Sequence, residues 1–230
     1  MNDLWGNSVF FGVFISLFSY GIGMFLKRKF HSGLFNPLLI AIILTIGFLL
    51  VLKVDYDIYY EGAKYLSYLL TPATICLAVP LYEQFSLLKK NYKAILCGIF
   101  SGMLSSLTTI LVLAWLFHFD YASYATLLPK SITTAIGIGV SEELGGFVSI
   151  TAAVIILTGV VGNVIAENVL RIMHITHPIA KGVAIGSSAH AIGTAKAMEM
   201  GQIEGAMSSL SLVVSGLLTV IFAPIFAGFL

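Results

Sequence analysis

Residues able to handle a small charged molecule gather in one stretch, Leu128 to Gly146, reading LPKSITTAIGIGVSEELGG. Lys130 carries a full positive charge there, and Ser131, Thr133 and Thr134 add hydroxyls within one turn of it. Proline is favoured at the first position of a helix, where its missing N–H would be unpaired anyway. A helix opening at Pro129 would place Lys130, Thr133, Thr134, Gly137 and Ser141 on one polar face. The free N–H groups and dipole of its first turn would favour an anion. A second group, Ser187, Ser188, His190 and Thr194, lies in KGVAIGSSAHAIGTAKAMEM from Lys181. A third, Thr71 and Thr74, flanks Pro72. Three carboxylates, Glu142, Glu143 and Glu167, stand near these patches. This is chemistry for binding, not catalysis. Ser187 and His190 have no G-x-S-x-G elbow and no acidic orienter nearby in sequence. Neither metal-ligand spacing nor a phosphate-cradling glycine loop is present, so no metal and no cofactor are expected.

The elements that position these residues must sit in lipid. Hydrophobic residues make up 58% of the 230, charged residues 10%, and mean hydropathy is +0.99. Apolar runs of spanning length mark an all-α polytopic membrane protein. The net charge of +1 argues against nucleic-acid binding, which needs a basic face. Cys76 and Cys97 both fall in apolar runs and read as buried free thiols. Residues 1–230 read as a single integral membrane domain.

Along the chain, Met1 to Asn7 carries Asp3, and Ser8 to Leu26 is apolar and followed by Lys27, Arg28 and Lys29. A secretory signal would show the reverse order, so a retained helix is expected, with its basic end cytoplasmic. Asn36-Pro37 opens a helix to Leu52, and Lys53 to Glu61 reads as a tyrosine-bearing loop. Tyr65 to Tyr82 is interrupted at Pro72 and Pro80 and reads as a broken helix. Lys89, Lys90 and Lys93 read as a loop before a helix from Ala94 to Phe117, whose Gly98 and Gly102 offer a close-approach surface. Phe147 to Leu170, Ile179 to Met200 and Ala206 to Leu230 complete about seven or eight transmembrane or re-entrant segments.

If every segment crossed, Arg171 and Lys181 would lie outside, against the positive-inside rule. A central stretch that enters and leaves on the outer side returns them to the inside. The segments from Pro37 to Phe117 and from Phe147 to Leu230 then form two oppositely oriented three-helix units, an inverted repeat with interrupted middle members, as in secondary transporters. Pro72, Pro129 and Gly186 are evenly spaced, in keeping with a weak repeat.

NPLLIAIIL at Asn36, LTPATICLAVPLYEQ from Leu70, LPKSITTAIGIGVSEELGG from Leu128 and GVAIGSSAHAIGTAKAMEMG from Gly182 together resemble the LrgB/CidB family over nearly the whole chain. One departure is visible: a proline often follows the second threonine of the central motif, and here it is Ala135. The resemblance implies a bacterial cytoplasmic membrane protein beside a small holin-like partner of LrgA/CidA type. It also implies two functions. The family was first described as antiholin-like, tuning murein hydrolase activity and cell lysis. Relatives, including a plastid carrier of glycolate and glycerate, move small carboxylates such as pyruvate.

Each site residue has a bland alternative. Lys130 could snorkel from a helix end. His190 could be a satisfied buried histidine, and Glu142 and Glu143 a solvated helix end. Asn163 and Glu167 read as interhelical glue, and Thr71 and Thr74 could repair backbone opened by Pro72. The expectation is a carrier of small monocarboxylates such as pyruvate, lactate, glycolate or glycerate. Lys130 would be the counter-ion, with Ser131, Thr133, Thr134, Thr71, Thr74, Ser187, Ser188, His190 and Thr194 around the substrate. Protons or Na⁺ would be coupled through His190, Glu142 or Glu167. A homo-oligomer is compatible with this arrangement. The alternative is an antiholin-like regulator.

Overall fold

A computed structural model describes residues 10–30, 36–76 and 78–230; the side chains of Leu70, Thr71 and Thr74 lie outside the described residues, as does Met1 to Asn7 with Asp3. The described residues are helical throughout, without strands. The chain divides into two compact units, Met1–Cys76 and Leu77–Leu230.

The first unit holds α1 (Phe11–Phe30), α2 (Pro37–Leu52), α3 (Tyr56–Ser67) and α4 (Leu70–Cys76). Asn36 caps α2, its Oδ1 accepting from the Leu38 and Leu39 N–H groups at 2.9 and 3.2 Å. Lys53, left-handed at φ 51, ends it. The expected loop from Lys53 to Glu61 is instead largely helical, and α3 packs on α1. A Cβ at Gly12 would overlap the Tyr59 carbonyl, and Ser16 bonds the Tyr59 hydroxyl at 2.8 Å. The tyrosines read as a loop signal are thus one side of an amphipathic helix. The chain breaks just before Pro72: α3 ends at Ser67 and α4 begins at Leu70, so Pro72 sits in the first turn of α4, where no helical hydrogen bond is lost, and Pro80 falls within α5 (Ala78–Glu83).

The second unit continues with α6 (Phe85–Phe117), α7 (Tyr121–Leu127), α8 (Thr134–Glu143), α9 (Val148–Ile172), α10 (Pro178–Met200) and α11 (Gln202–Ala227). Only α6, α9 and α11 are long and apolar enough to cross a membrane among the described residues. At 33 residues, α6 spans about 50 Å against a hydrocarbon core of about 30 Å. Lys89, Lys90 and Lys93, expected in a loop, ride on its protruding first turns.

Buried clusters set the directions. Ile95 and Ile99 near the start of α6 pack with Ile179, Val183, Ala206 and Met207. Ala114 near its end packs with Tyr124, Leu128 and Ala227. Hence α6 and α11 run in one direction and α9 returns in the other.

Both remaining segments are re-entrant hairpins. In the first, the Phe147 N–H donates to Thr126 Oγ1 at 2.7 Å, and Thr151 Oγ1 donates to the Thr126 carbonyl at 3.0 Å. The start of α9 therefore lies beside the end of α7. Between them the chain dips inward through 128–133 and comes back along α8, whose 10 residues cover about 15 Å. In the second, α10 reverses at His190, with φ 41 and ψ −139. A Cβ on Gly193 would sit 3.3 Å from the Ile185 carbonyl oxygen; a straight helix would hold residues 185 and 193 about 12 Å apart. Ile185 and Ala197 share one buried cluster with Ala166 and Leu170. Residues 178–189 thus run in and residues 191–200 run out at the same end. The sequence reading made α10 a single interrupted crossing. The structure corrects that: one residue in the left-handed region turns it back.

Helix α6 with hairpin 121–143 and helix α9 with hairpin 178–200 form an inverted pair, the hairpins entering from opposite ends. Lys89, Lys90, Lys93, Arg171 and Lys181 gather at one end. Asp120, Glu142 and Glu143 mark the other, which has no Lys or Arg among the described residues of this unit. Single cysteines at Lys90 and His174, in a background lacking Cys76 and Cys97, should share one labelling side; one at Glu142 should label from the opposite side. Labelling of positions 142 and 174 by the same impermeant thiol reagent in intact cells would contradict the re-entrant path. Cys76 and Cys97 themselves are exposed, not buried as expected, because apolar faces here meet lipid as well as core.

Candidate functional site

The two hairpin ends meet about halfway along α9. A groove of about 560 Å³ runs between α9 and residues 178–189, lined by Lys130, Thr158 and Ser188 together with Val154, Leu157 and Val161. Lys130 is not on a helix. The chain from Leu128 to Ile132 is a succession of turns, and α8 begins only at Thr134 with Thr133 as N-cap. The expected helix start at Pro129 is therefore wrong by five residues, and only Thr134, Gly137 and Ser141 of the proposed face belong to α8. Pro129 instead helps reverse the chain: its carbonyl accepts from Ile132 N–H at 3.3 Å. Ala135 falls in the first turn of α8, where a proline would fit without a kink.

The later start of α8 still offers an anion a helix N-terminus. The Thr133 side chain makes no capping hydrogen bond, so the first N–H groups of α8 stay unsatisfied by it. The Lys130 amine donates to Ser131 Oγ at 2.9 Å and, among the described residues, has no carboxylate partner. Ser131 Oγ also bonds Ser106 Oγ at 2.9 Å. Even a half-buried lysine without an anion is costly in this setting unless water or a ligand meets it.

Behind Ser131, a small void of about 10 Å³ is lined by Ser106, Ser187, Ser215 and Thr219 together with Met103, Leu107, Leu128 and Ile132. Ser215 Oγ, 2% exposed, has no hydrogen-bond partner among the described residues. Ser187 also lines a larger groove of about 970 Å³ between α6 and residues 178–189, with Asn91, Ser101, Ser105 and His177. Gly98 and Gly102 make this approach close: a Cβ at Gly102 would lie 2.9 Å from Ser187 Oγ.

The remaining expected residues have structural partners. His190, 2% exposed, bonds the Ile155 carbonyl through Nε2 at 2.9 Å and does not face Ser187. Thr194 Oγ1 donates to the His190 carbonyl and bonds Ser208 Oγ, each at 2.9 Å. Ser187 and Ser188 donate to the Val183 and Ala184 carbonyls, each at 2.7 Å. Asn163 Nδ2 donates to the Ile192 carbonyl at 2.7 Å, and Glu167 pairs with Lys196 at 2.6 Å, so both join α9 to residues 191–200 as interhelical glue. Glu142 and Glu143 are exposed at the end of α8. The side chains of Thr71 and Thr74 lie outside the described residues. Replacing Asn163 by Ala should loosen the second hairpin by roughly 0.6–1.7 kcal/mol, the measured scale of interhelical hydrogen bonds in membranes. A thermal midpoint equal to the parent's would show that the Ile192 carbonyl is satisfied another way.

Two contributors were hidden in the sequence. Ser106 lay in a hydroxyl-rich run that reads as packing, and Thr158 in a crossing whose Asn163 and Glu167 read as interhelical glue.

An LrgB-like family model matches residues 16–229. The chain belongs to the LrgB-like family. It is 39% identical over 220 residues to the antiholin-like protein LrgB of Bacillus subtilis (strain 168), covering 95% of each chain. It is 39% identical over 222 residues to proteins of the same name from Bacillus mycoides (strain KBAB4) and Bacillus cereus (strain B4264), covering 96% of each. No solved structure matches. For an LrgB-like chain, the opposed hairpins and the lysine between them give the family motifs a spatial meaning: two of the four motifs quoted above build the hairpins.

Proposed function

We propose that this chain is a non-enzymatic carrier of small monocarboxylates across the bacterial cytoplasmic membrane, with residues 1–230 acting as one multi-pass domain. The observation that carries the reading is Lys130: a charged amine, without an anionic partner among the described residues, held where two hairpins from opposite ends meet. A carboxylate there would accept from Lys130 Nζ and from the first N–H groups of α8, with Ser188 on the facing wall. Thr133, Thr134 and Ser131 would shape its surroundings. His190 and Thr194 would act from behind by holding the second hairpin reversed. By the positive-inside rule the end bearing Lys89, Lys90, Lys93, Arg171 and Lys181 faces the cytoplasm. The 970 Å³ groove opens towards that end. Opposed interrupted segments suit alternating access around a fixed site. Coupling to protons or Na⁺ fits equally.

A second reading is favoured by the relatives' own description as antiholin-like proteins. In it the chain regulates murein hydrolase activity through a small holin-like membrane partner of LrgA/CidA type, and its outward helix faces carry the function. Uptake of labelled pyruvate, lactate and glycolate by vesicles holding this chain, with and without such a partner, separates the two. Saturable uptake supports the carrier. Correctly folded protein without uptake in both settings, alongside altered autolysis in cells, supports the regulator.

A further inference from the structure

The groove below Lys130 is far larger and more apolar than a two- or three-carbon acid requires. Its volume is about 560 Å³, and only Lys130, Thr158 and Ser188 bring polar side chains to it. The remainder of its wall is aliphatic, with Val154, Leu157 and Val161 on α9 facing Ile185 and its neighbours on α10. Gly162 lets these walls approach, since a Cβ there would lie 2.5 Å from the Ala189 Cβ. The charge stands at the hairpin ends and the aliphatic walls lead away from it. Such a shape complements an anion with a tail: a carboxylate on the amine, with methylenes against valine and leucine.

We infer that this site takes aliphatic monocarboxylates of medium chain length in preference to the shortest acids. This rests on the carboxylate reading above and sharpens it to a substrate class. A buried methylene adds a nearly constant increment, about a fourfold gain in affinity for each. A short acid would leave the walls uncovered and gain nothing from them.

The test is competition by acetate, butyrate, hexanoate and octanoate against labelled butyrate bound to the full chain in detergent, with octanol as a control lacking the carboxylate. Affinity should rise roughly three- to fourfold per methylene from butyrate upward, and octanol should not compete. Val161, 53% exposed, can be changed without disturbing the core. Val161→Asn should flatten that rise at unchanged abundance and melting temperature. If all four acids compete alike, the tail inference is overturned and the carboxylate reading stands. An undiminished rise in Val161→Asn also overturns it, because the tail would then lie in detergent and not in the groove. Should no acid compete and no butyrate bind, the carboxylate reading itself fails and takes this inference with it.

Discussion

Vesicles carrying Lys130→Ala should lose high-affinity uptake of short carboxylates while the protein folds as well as its parent. Among the described residues the amine hydrogen-bonds only Ser131 Oγ, so its removal breaks no ion pair among them and no helical backbone bond. Taking a charge out of a low-dielectric site with no anion stabilises the empty protein or leaves it unchanged. Removing one partner of a desolvated charge pair, by contrast, costs on the order of 2–5 kcal/mol of binding. That corresponds to a rise of about thirtyfold or more in the concentration needed for half-maximal uptake. Lys130→Arg should rescue poorly, because a planar fork does not replace a compact ammonium among the turns of 128–133. A snorkelling lysine predicts otherwise: Arg would serve as well as Lys, and Ala would change membrane abundance instead of affinity. Uptake at matched membrane levels for the three proteins decides between these.

Gly186→Ala should sharply reduce folded protein, whereas Gly98→Ala should be close to neutral. At Gly186 an added Cβ would overlap the Ser208 carbonyl oxygen and lie 2.8 Å from the Ser208 Cα. Backbone on α11 cannot swing aside, so the first arm of the second hairpin would be pushed off the helix it packs on. Overpacking of this kind typically costs ~1–3 kcal/mol, and in lipid no hydrophobic gain offsets it, because van der Waals fit is what drives helix association. At Gly98 the Cβ would meet only the Val183 Cγ1 methyl, at 3.1 Å, which a small side-chain adjustment relieves. Heat stability in detergent measures both. Equal stability of the Gly186→Ala protein and its parent would mean that α10 and α11 do not pack as described.

Much of the fold could be read from residue types, because lipid leaves few options for long apolar runs. The crossings at Phe85–Phe117, Val148–Ile172 and Gln202–Ala227 follow from hydropathy and length. The return of the central stretch followed from where Arg171 and Lys181 had to lie. The close-approach roles of Gly98 and Gly102 followed from small residues at helical spacing. The reversal at His190 was not legible as a hairpin. The polar patch signalled an interruption, but a kinked crossing and a full turn-back differ by the dihedral angles of a single residue, which composition does not encode. The same limit explains Pro129: proline suits the first turn of a helix and the corner of a turn equally well, and local hydrogen bonding chose the turn. Cys76 and Cys97 show a further limit. In water an apolar neighbourhood implies burial, while in a membrane protein it is shared by the core and the lipid face.

On the carrier reading, the opposed hairpins present Lys130 to a carboxylate, and everything else in the mechanism depends on that contact. It is tested most directly by the heat of binding of pyruvate and butyrate to the purified parent and to Lys130→Ala, both shown to be folded by melting temperature. Saturable binding to the parent, weakened at least about thirtyfold in the Ala protein, is the expected result. Equal affinity in the two proteins would contradict it, removing Lys130 from the site and the anion-binding role from the ends of both hairpins.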